Sequence, residues 1–292
     1  MDFFSILKSS PLPQHEIEIL LSFLLNKERE FLITHPESKI EKKIYQRFKI
    51  LEKKRLANWS VAALIGKKEF YGLSFKVDKN VLIPRPESEM IVEEVLNLAK
   101  DSDKKLMIID LGTGSGAIII AVAAELKKTD KDKYTKTIFR AIDISKPALK
   151  IARFNSLSNK CGNKIKFLAG NLLEPLITKI DFEGLNERQV IISANLPYLT
   201  PMQIKKSPSI QKEPKLALVA GKDGLKYYRK LFKQMKILNV PAKILCEIDP
   251  SQNKSIKILA KKYLPSVDVK IKKDLAGLYR LAIIKTQKNS RT

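Results

Sequence analysis

The sequence predicts an α/β protein: a seven-stranded, mostly parallel sheet with an antiparallel C-terminal strand, preceded by a small N-terminal helical domain. Three observations carry that prediction. From Leu106 onward, short apolar runs alternate with amphipathic stretches of helical spacing, the pattern of strand and crossover helix that builds a parallel sheet covered on both faces. A glycine-rich stretch, "DLGTGSGAI" (110–118), stands where the first of those runs meets its helix. Before both, residues 14–57 carry apolar side chains at helical intervals among alternating charges.

In that first segment Ile17, Leu20, Leu21 and Leu24 share one helical face, and Ile44, Phe48 and Leu51 share another. Between them "THPES" (34–38) reads as a break and a cap, because Pro tolerates a helix start and Ser or Thr can cap one. A small helical domain is therefore expected over residues 1–65. Next, "EFYGLSFKVDKNVLIP" (69–84) places aromatic and β-branched residues around turn signals at Gly72 and 78–80, which predicts a hairpin bridging two domains within a linker at 66–86.

The larger domain is expected over 87–292. Its strands are "LMIIDL" (106–111), "IFRAID" (138–143), "IKFLA" (165–169), "VIISAN" (190–195) and "KILCEI" (243–248), with helices over 116–127, 146–158, 223–237 and 251–263. The last stretch, "VDVKIKKDLAGLYRLAIIK" (267–285), holds two strands around Gly277. They are too close for a helical crossover and must pair antiparallel.

Composition narrows the classes. With 292 residues, 44% of them hydrophobic, the chain can bury a sizeable core. Its longest uncharged apolar run (117–124) is far short of the ~20 residues of a spanning helix. The opening "MDFFSILKSS" lacks the regions of a secretory leader, so the cytoplasm is the expected location and no membrane partner is expected. Cys161 and Cys246 are far apart and the histidines are only His15 and His35, so neither a disulfide framework nor a Cys/His metal site is expected.

The net charge of +24 is uneven, since residues 201–292 hold 22 basic and 6 acidic groups. Of the 55 basic residues only ten are Arg, which favours a solvated, loosely attractive surface over bidentate base readers. Two readings stay open: a Lys-rich surface with no partner, or a weak contact with RNA or the ribosome through the basic C-terminal third.

The glycine loop carries the first chemistry. Gly112, Gly114 and Gly116 remove Cβ atoms, so the backbone can turn sharply and a ligand can lie against it at a helix N-terminus. Gly112, Gly114 and Ala117 also satisfy the G-x-G-x-x-A form of the dinucleotide fingerprint, so a nicotinamide or flavin site stays open on this motif alone. Asp110 favours a cationic ligand, because a carboxylate at the mouth of the loop suits the amino and sulfonium groups of S-adenosylmethionine better than a pyrophosphate. Asp143 closes the next strand, where its oxygens can accept both ribose hydroxyls. The competing reading makes this acid part of an ordinary helix start, with Ser145 and Pro147 beginning the helix.

A third strand tip ends in Asn195, Leu196, Pro197 and Tyr198. Pro197 biases Leu196 toward extended geometry, so the Leu196 carbonyl and the Asn195 side chain form a rigid pair of acceptors. Two acceptors can hold both N–H donors of an amide or aromatic amine while Tyr198 packs on the planar group. A strand-ending turn with a capping Asn and a core Tyr is the plainer alternative.

"NLPY" resembles the Asn-Pro-Pro-Tyr signature of amino-methyltransferases that use S-adenosylmethionine, with Leu196 for the first Pro. Around it, "FYGLSFKVDKNVLIPRPESEMIVE", "DLGTGSGAI", "DISKPALKIARFN", "EPKLALVAGKDGLKYYR", "EIDPSQ" and "DLAGLYR" occur in the order found in the release-factor glutamine methyltransferases (PrmC/HemK-like), and the likeness runs from about residue 14 to 284. The resemblance implies a Rossmann-like fold and transfer of a methyl group from S-adenosylmethionine to N5 of the glutamine in the Gly-Gly-Gln motif of peptide chain release factors. It implies cofactor contacts from Asp110, Gly112, Thr113, Gly114, Ser115, Gly116, Asp143, Leu172 and Asn195. Catalytic and substrate contacts fall to Asn195, Leu196, Pro197 and Tyr198, with Arg85 and Glu87 of "IPRPE" on the substrate side.

Departures from the family pattern are Ser60 and Ala63 for a usual Pro and Tyr, Asn171 and Leu172 for a usual Asp and aromatic, and Ala220 for a usual Gly. No general base is apparent, and none is needed if the proton leaves after methylation. Two alternatives remain on the sequence: an adenine or tRNA N-methyltransferase, whose target amine fits the same acceptors, and a binding module that has kept the fold without activity.

Overall fold

The N-terminal segment folds as its helical spacing predicts. In the computed structural model, which describes residues 2–178, 187–264 and 266–288, helices α1 (Phe3–Ser9), α2 (Gln14–Leu25), α3 (Arg29–Thr34), α4 (Lys42–Leu56) and α5 (Val61–Ile65) follow one another. Ile17, Leu20, Leu21 and Leu24 of α2 join Phe3, Ile6 and Phe48 in one buried cluster. Carboxylates that this core draws inward are paired, as buried charges must be: Glu16 accepts two bonds from Arg55 at 2.7 and 2.8 Å. Residues Met1–Lys67 with 208–212 form one compact unit, and Lys68–Ser207 with Glu213–Thr292 form the other.

One expectation fails here. "THPES" breaks the helices but caps neither: α3 runs to Thr34, and α4 begins at Lys42 behind Glu41, with no side-chain cap bond. Lys39 bridges Asp2 and Ile40 is drawn into the core, so the chain stays extended past Ser38.

The expected hairpin is β1 (Lys67–Phe70) and β2 (Leu73–Lys76). Tyr71 and Gly72 both take positive φ, 50° and 68°, the geometry of the two-residue turn that matches strand twist. Phe70 meets Phe75 edge to face at 6.1 Å. The hairpin stops at Lys76, short of residue 84. Asp78 accepts from the Asn80 N–H at 2.8 Å, so the side chain closes a local turn where a strand would need that donor.

Helix α6 (Glu89–Lys100) follows. It is not among the expected elements, although Ile91, Val92, Val95 and Ala99 give it a buried stripe. Next come β3 (Leu106–Leu111), α7 (Ala117–Thr129), α8 (Lys131–Lys136), β4 (Ile138–Asp143), α9 (Lys146–Ser158), β5 (Ile165–Ala169) and α10 (Glu174–Thr178). The chain then forms β6 (Gln189–Ala194), α11 (Pro201–Lys205), α12 (Lys226–Leu238), β7 (Ala242–Glu247), α13 (Asn253–Tyr263), β8 (Asp268–Lys273) and β9 (Tyr279–Thr286). Strand order is β5-β4-β3-β6-β7-β9-β8. Every pairing from β5 to β7 is parallel, and β9 runs antiparallel to both its neighbours.

Side chains alternate across this sheet as the strand pleat requires. Met107, Ile109 and Leu111 of β3 face one cluster with Tyr228, Phe232 and Met235 of α12 and Ile256 of α13. Leu106 and Ile108 face the other, with Val92 and Val95 of α6 and Ile119 to Val122 of α7. Both faces of β3 are covered, which is why all six of its residues are buried and its sequence is nearly continuous apolar. Cys161 and Cys246 are both free and buried in these layers.

Asn155 of α9, fully buried, joins three segments. Its Oδ1 accepts from the Lys76 N–H at 2.8 Å, and its Nδ2 donates to the Lys76 carbonyl at 3.0 Å and the Ser115 carbonyl at 2.8 Å. A buried polar group left without its partner costs about 1–3 kcal/mol. Asn155→Ala is accordingly expected to lower unfolding free energy by about 2–4 kcal/mol, as read from denaturant melts; a loss below about 1 kcal/mol would show these bonds to be dispensable.

Candidate active site

Strand β3 lies between β4 and β6, so chain order reverses there, and in open α/β sheets the crevice at the carboxyl ends beside such a reversal binds ligands. A cleft of about 270 Å³ occupies this place, with the 112–115 loop, Asp143 and Asn195 in its wall. The loop after β3 passes through Gly112, Gly114 and Gly116 at φ of 67°, 55° and 82°, a region closed to most side chains. Space excludes them as well. A Cβ at Gly112 would stand 3.1 Å from Leu196 Cδ2, and one at Gly116 would stand 2.7 Å from Ile120 Cδ1.

Two acids hold this loop from different sides. Asp110 is 1% exposed, and its oxygens accept from Thr113 Oγ1 at 2.6 Å and Ser193 Oγ at 2.7 Å. Burial pushes its carboxyl up to about 6 against the pull of those two bonds, and the Asp143 charge adds to the rise. Asp110 therefore lies under the loop and not at its mouth. Asp110 is absent from the cleft wall, and its two bonds brace the loop from within the core.

Asp143 does line the cleft. Its Oδ2 accepts from the Gly114 N–H and its Oδ1 from the Ser145 N–H, both at 2.8 Å, while burial raises its carboxyl above the usual range. Each oxygen keeps one lone pair. The helix start is made separately, by Ser145 accepting from the Ala148 N–H at 3.2 Å, so capping and a ligand role at Asp143 do not compete. Bare backbone beside a two-oxygen acceptor fits the ribose and chain of S-adenosylmethionine, with Gly112, Thr113, Gly114, Ser115 and Asp143 placed to hold it.

Leu172 and Asn171 line the same cleft beyond β5. Leu172 takes φ of 60°, unusual for a branched side chain. Gln234 of α12 imposes it, accepting from the Leu173 N–H at 2.9 Å and donating to the Asn171 carbonyl at 3.1 Å.

At the tip of β6, Asn195, Leu196 and Pro197 line the cleft and Tyr198 does not. The Tyr198 hydroxyl donates to Glu247 Oε1 at 3.1 Å, and burial with that neighbouring charge pushes the phenol up. Leu196 is 2% exposed and lodged under Gly112. Arg85 is paired with Glu213, which also accepts from the Ile83 N–H at 3.2 Å and so ties the segment after the hairpin to residue 213. Glu87 is exposed and outside the cleft wall. Neither Arg85 nor Glu87 belongs to the cleft wall itself.

Residues that sequence reasoning passes over complete the site. Ser88 lies in the cleft wall, and Glu247, 2% exposed, lies behind it. Ser88 has no spacing signal. Glu247 has one, since it closes an apolar strand just as Asp110 and Asp143 do near the ends of theirs.

The fold and this cleft define an S-adenosylmethionine-dependent methyltransferase, and a methyltransferase-domain family model matches residues 102–260. A second model, the PrmC N-terminal domain, matches residues 2–66. The release factor glutamine methyltransferase of Dictyoglomus turgidum is 34% identical over 272 residues, covering 91% of this chain and 89% of that protein. That of Coxiella burnetii is 35% identical over 278 residues, covering 94% and 92%. The chain belongs to the release factor glutamine methyltransferases. Among solved structures, the N-terminal domain of human METTL16 in complex with SAH superposes with a TM-score of 0.53 at 17% identity, over 97% of both chains. The hMettl16 catalytic domain bound to an RNA hairpin gives 0.56 at 14% identity, over 86% of this chain and 84% of that one, and both likenesses concern the fold alone.

Asp110 makes a pH prediction. Its carboxyl rises from 3.8 to about 6 on folding, so between those values the folded state holds a proton the unfolded chain lacks, and stability falls as pH rises through that window. Asp110→Asn removes this loss. In ligand-free protein its stability relative to wild type should climb from pH 4 to pH 7 by at most about 3 kcal/mol, followed by thermal melting. A difference that does not change with pH would show that Asp110 does not titrate there.

Proposed function

We propose that this enzyme methylates N5 of the glutamine in the Gly-Gly-Gln motif of peptide chain release factors, and that the turn at 195–198 holds the target amide. One observation carries the reading: Asn195 and Asp143 end the two strands that flank β3 and line one cleft, with the glycine loop between them. Asp143 would hold ribose hydroxyls through its remaining lone pairs, with the 112–115 backbone and Leu172 forming the rest of the cofactor's wall. When bound, S-adenosylmethionine supplies a methyl group on a positively charged sulfur.

The chain's own residues then align the nucleophile. Asn195 Oδ1 and the Leu196 carbonyl each accept one N–H of the glutamine amide, which holds the nitrogen in a fixed direction. Pro197 stiffens the turn, and Tyr198 braces it through Glu247. A neutral amide nitrogen is a poor nucleophile, so alignment is the main device; proximity of this kind can contribute ~7–11 kcal/mol.

The wider assignments belong to the same reading. Residues 1–65 recognise the release factor, supported by the match to the PrmC N-terminal domain. The enzyme works in the cytoplasm, where translation termination supplies its substrate; among the described residues no helix is long and apolar enough to cross a membrane. Residues 201–292, at net +16, favour a weak, salt-sensitive contact with RNA or the ribosome.

Asp143→Ala is expected to weaken S-adenosylmethionine binding by ~1.5–3 kcal/mol in calorimetry, the range of hydrogen bonds to a charged group. Unchanged affinity would remove Asp143 from the cofactor site. Asn195→Ala is expected to abolish single-turnover methylation of a release factor, followed by mass spectrometry of the glutamine peptide, while cofactor affinity stays within about threefold. Wild-type turnover in that variant would leave 195–198 as a structural turn.

A further inference from the structure

Behind the cleft wall the polar groups form one chain of bonds with a fixed direction. Asn195 Nδ2 donates to Ser88 Oγ at 2.8 Å, Ser88 Oγ donates to Glu247 Oε2 at 2.6 Å, and the Tyr198 hydroxyl donates to Glu247 Oε1 at 3.1 Å. Ser88 and Glu247 are 3% and 2% exposed. Tyr228 donates to the Glu247 backbone carbonyl, which secures the strand end itself. Arg280, paired with Asp274 at 3.2 Å, supplies positive charge toward Glu247.

The direction follows from what each group can do. A carboxylate only accepts, and a hydroxyl has one proton. Facing an ionised Glu247, a state that Arg280 and the bonds from Ser88 and Tyr198 favour against the burial that raises its carboxyl, Ser88 must spend that proton on the carboxylate, so toward Asn195 it offers only a lone pair. Asn195 must then present Nδ2 to Ser88, and its Oδ1 becomes the free end of the amide on the cleft side. A neutral group at position 247 lifts this constraint. It can donate to Ser88, whose hydroxyl then turns to Asn195 Oδ1 and leaves Nδ2, a donor, facing the substrate's own N–H groups.

We propose that Glu247 is a positioning residue that sets the orientation of the Asn195 amide through Ser88 and pins the far end of the same turn through Tyr198. It touches neither substrate nor cofactor. Its charge fixes which end of Asn195 meets the target nitrogen. The inference rests on the reading of Asn195 as an acceptor for the glutamine amide.

The test reverses the relay. In Glu247→Gln combined with Asn195→Asp, the amide introduced at position 247 donates to Ser88, the Ser88 hydroxyl donates to the carboxylate introduced at position 195, and an acceptor oxygen faces the cleft again. Single-turnover rates on a release factor, at saturating cofactor, are measured for Ser88→Ala, Glu247→Gln, Asn195→Asp and the double variant. Thermal melts confirm folding. Each single variant is expected to lose roughly tenfold or more in rate, with KM for the release factor and cofactor affinity changed less than about threefold. The double variant should be at least about fivefold faster than the slower of its parents, a rescue that a merely structural role does not produce.

A second readout needs neither turnover nor cofactor: the side-chain amide protons of Asn195, followed by NMR hydrogen exchange, should lose protection in Ser88→Ala. Ser88→Ala keeps the Glu247–Tyr198 bond and carries the test if Glu247→Gln does not fold. Wild-type rates in Ser88→Ala and Glu247→Gln, or a double variant no faster than its slower parent, would overturn the relay. Wild-type turnover in Asn195→Ala would instead overturn the acceptor reading beneath it.

Discussion

The loop between β3 and α7 has to turn through three left-handed residues, two of them with a neighbour where a Cβ would stand, and the rest of the domain is arranged to make that possible. Its amides at Gly112 and Thr113 donate to the Ile142 carbonyl at 2.8 and 3.1 Å, which ties it to the adjacent strand. Asp143 accepts from the Gly114 N–H, Asp110 accepts from the Thr113 hydroxyl, and Asn155 Nδ2 donates to the Ser115 carbonyl. The restraints come from β3, from β4 and from α9. A loop without side chains has little packing of its own, so its shape must be imposed by neighbours, and this one is held from the core, from β4 and from α9.

The same economy explains the buried acids. Asp110, Asp143 and Glu247 all sit at or near the carboxyl ends of strands, all have carboxyls raised by burial, and all accept from two donors. Burying a carboxylate in this way costs stability, and the fold concentrates that cost around one cleft. The three differ in what remains. Asp110 and Glu247 are enclosed and order their neighbours, whereas Asp143 keeps lone pairs in the cleft and can take a ligand.

Much of this is legible in the residues alone, for an identifiable reason. Strands such as "LMIIDL" are apolar on both faces because both faces are covered, and glycines are scarce in this chain, so three within five positions mark a backbone that must bend. What escapes the sequence depends on distance in the chain. Ser88 and Glu247 are 159 positions apart, and no local spacing joins them. Helix α6 is hard to read because its apolar stripe lies inside a charged stretch beginning at a Pro-rich turn. The capping expectation at "THPES" fails for a tertiary reason, the burial of Ile40. Asp110 is expected at the loop's mouth because position along a strand says how far a residue lies from the tip, and not whether its side chain points up into the crevice or down into the core.

Leu196 joins the two halves of the site. Where relatives of this family commonly carry a ring, this chain has a branched side chain whose δ-carbon rests beneath Gly112. The cofactor loop and the acceptor turn therefore share an atom-to-atom contact, and neither position can drift independently. Exchanging this leucine for proline would remove that δ-carbon from beneath the loop, so a change at the turn would be felt at the cofactor loop as well. Residue 196 thus works as a spacer between two halves of the cleft, and the shape it allows one half is set by the other.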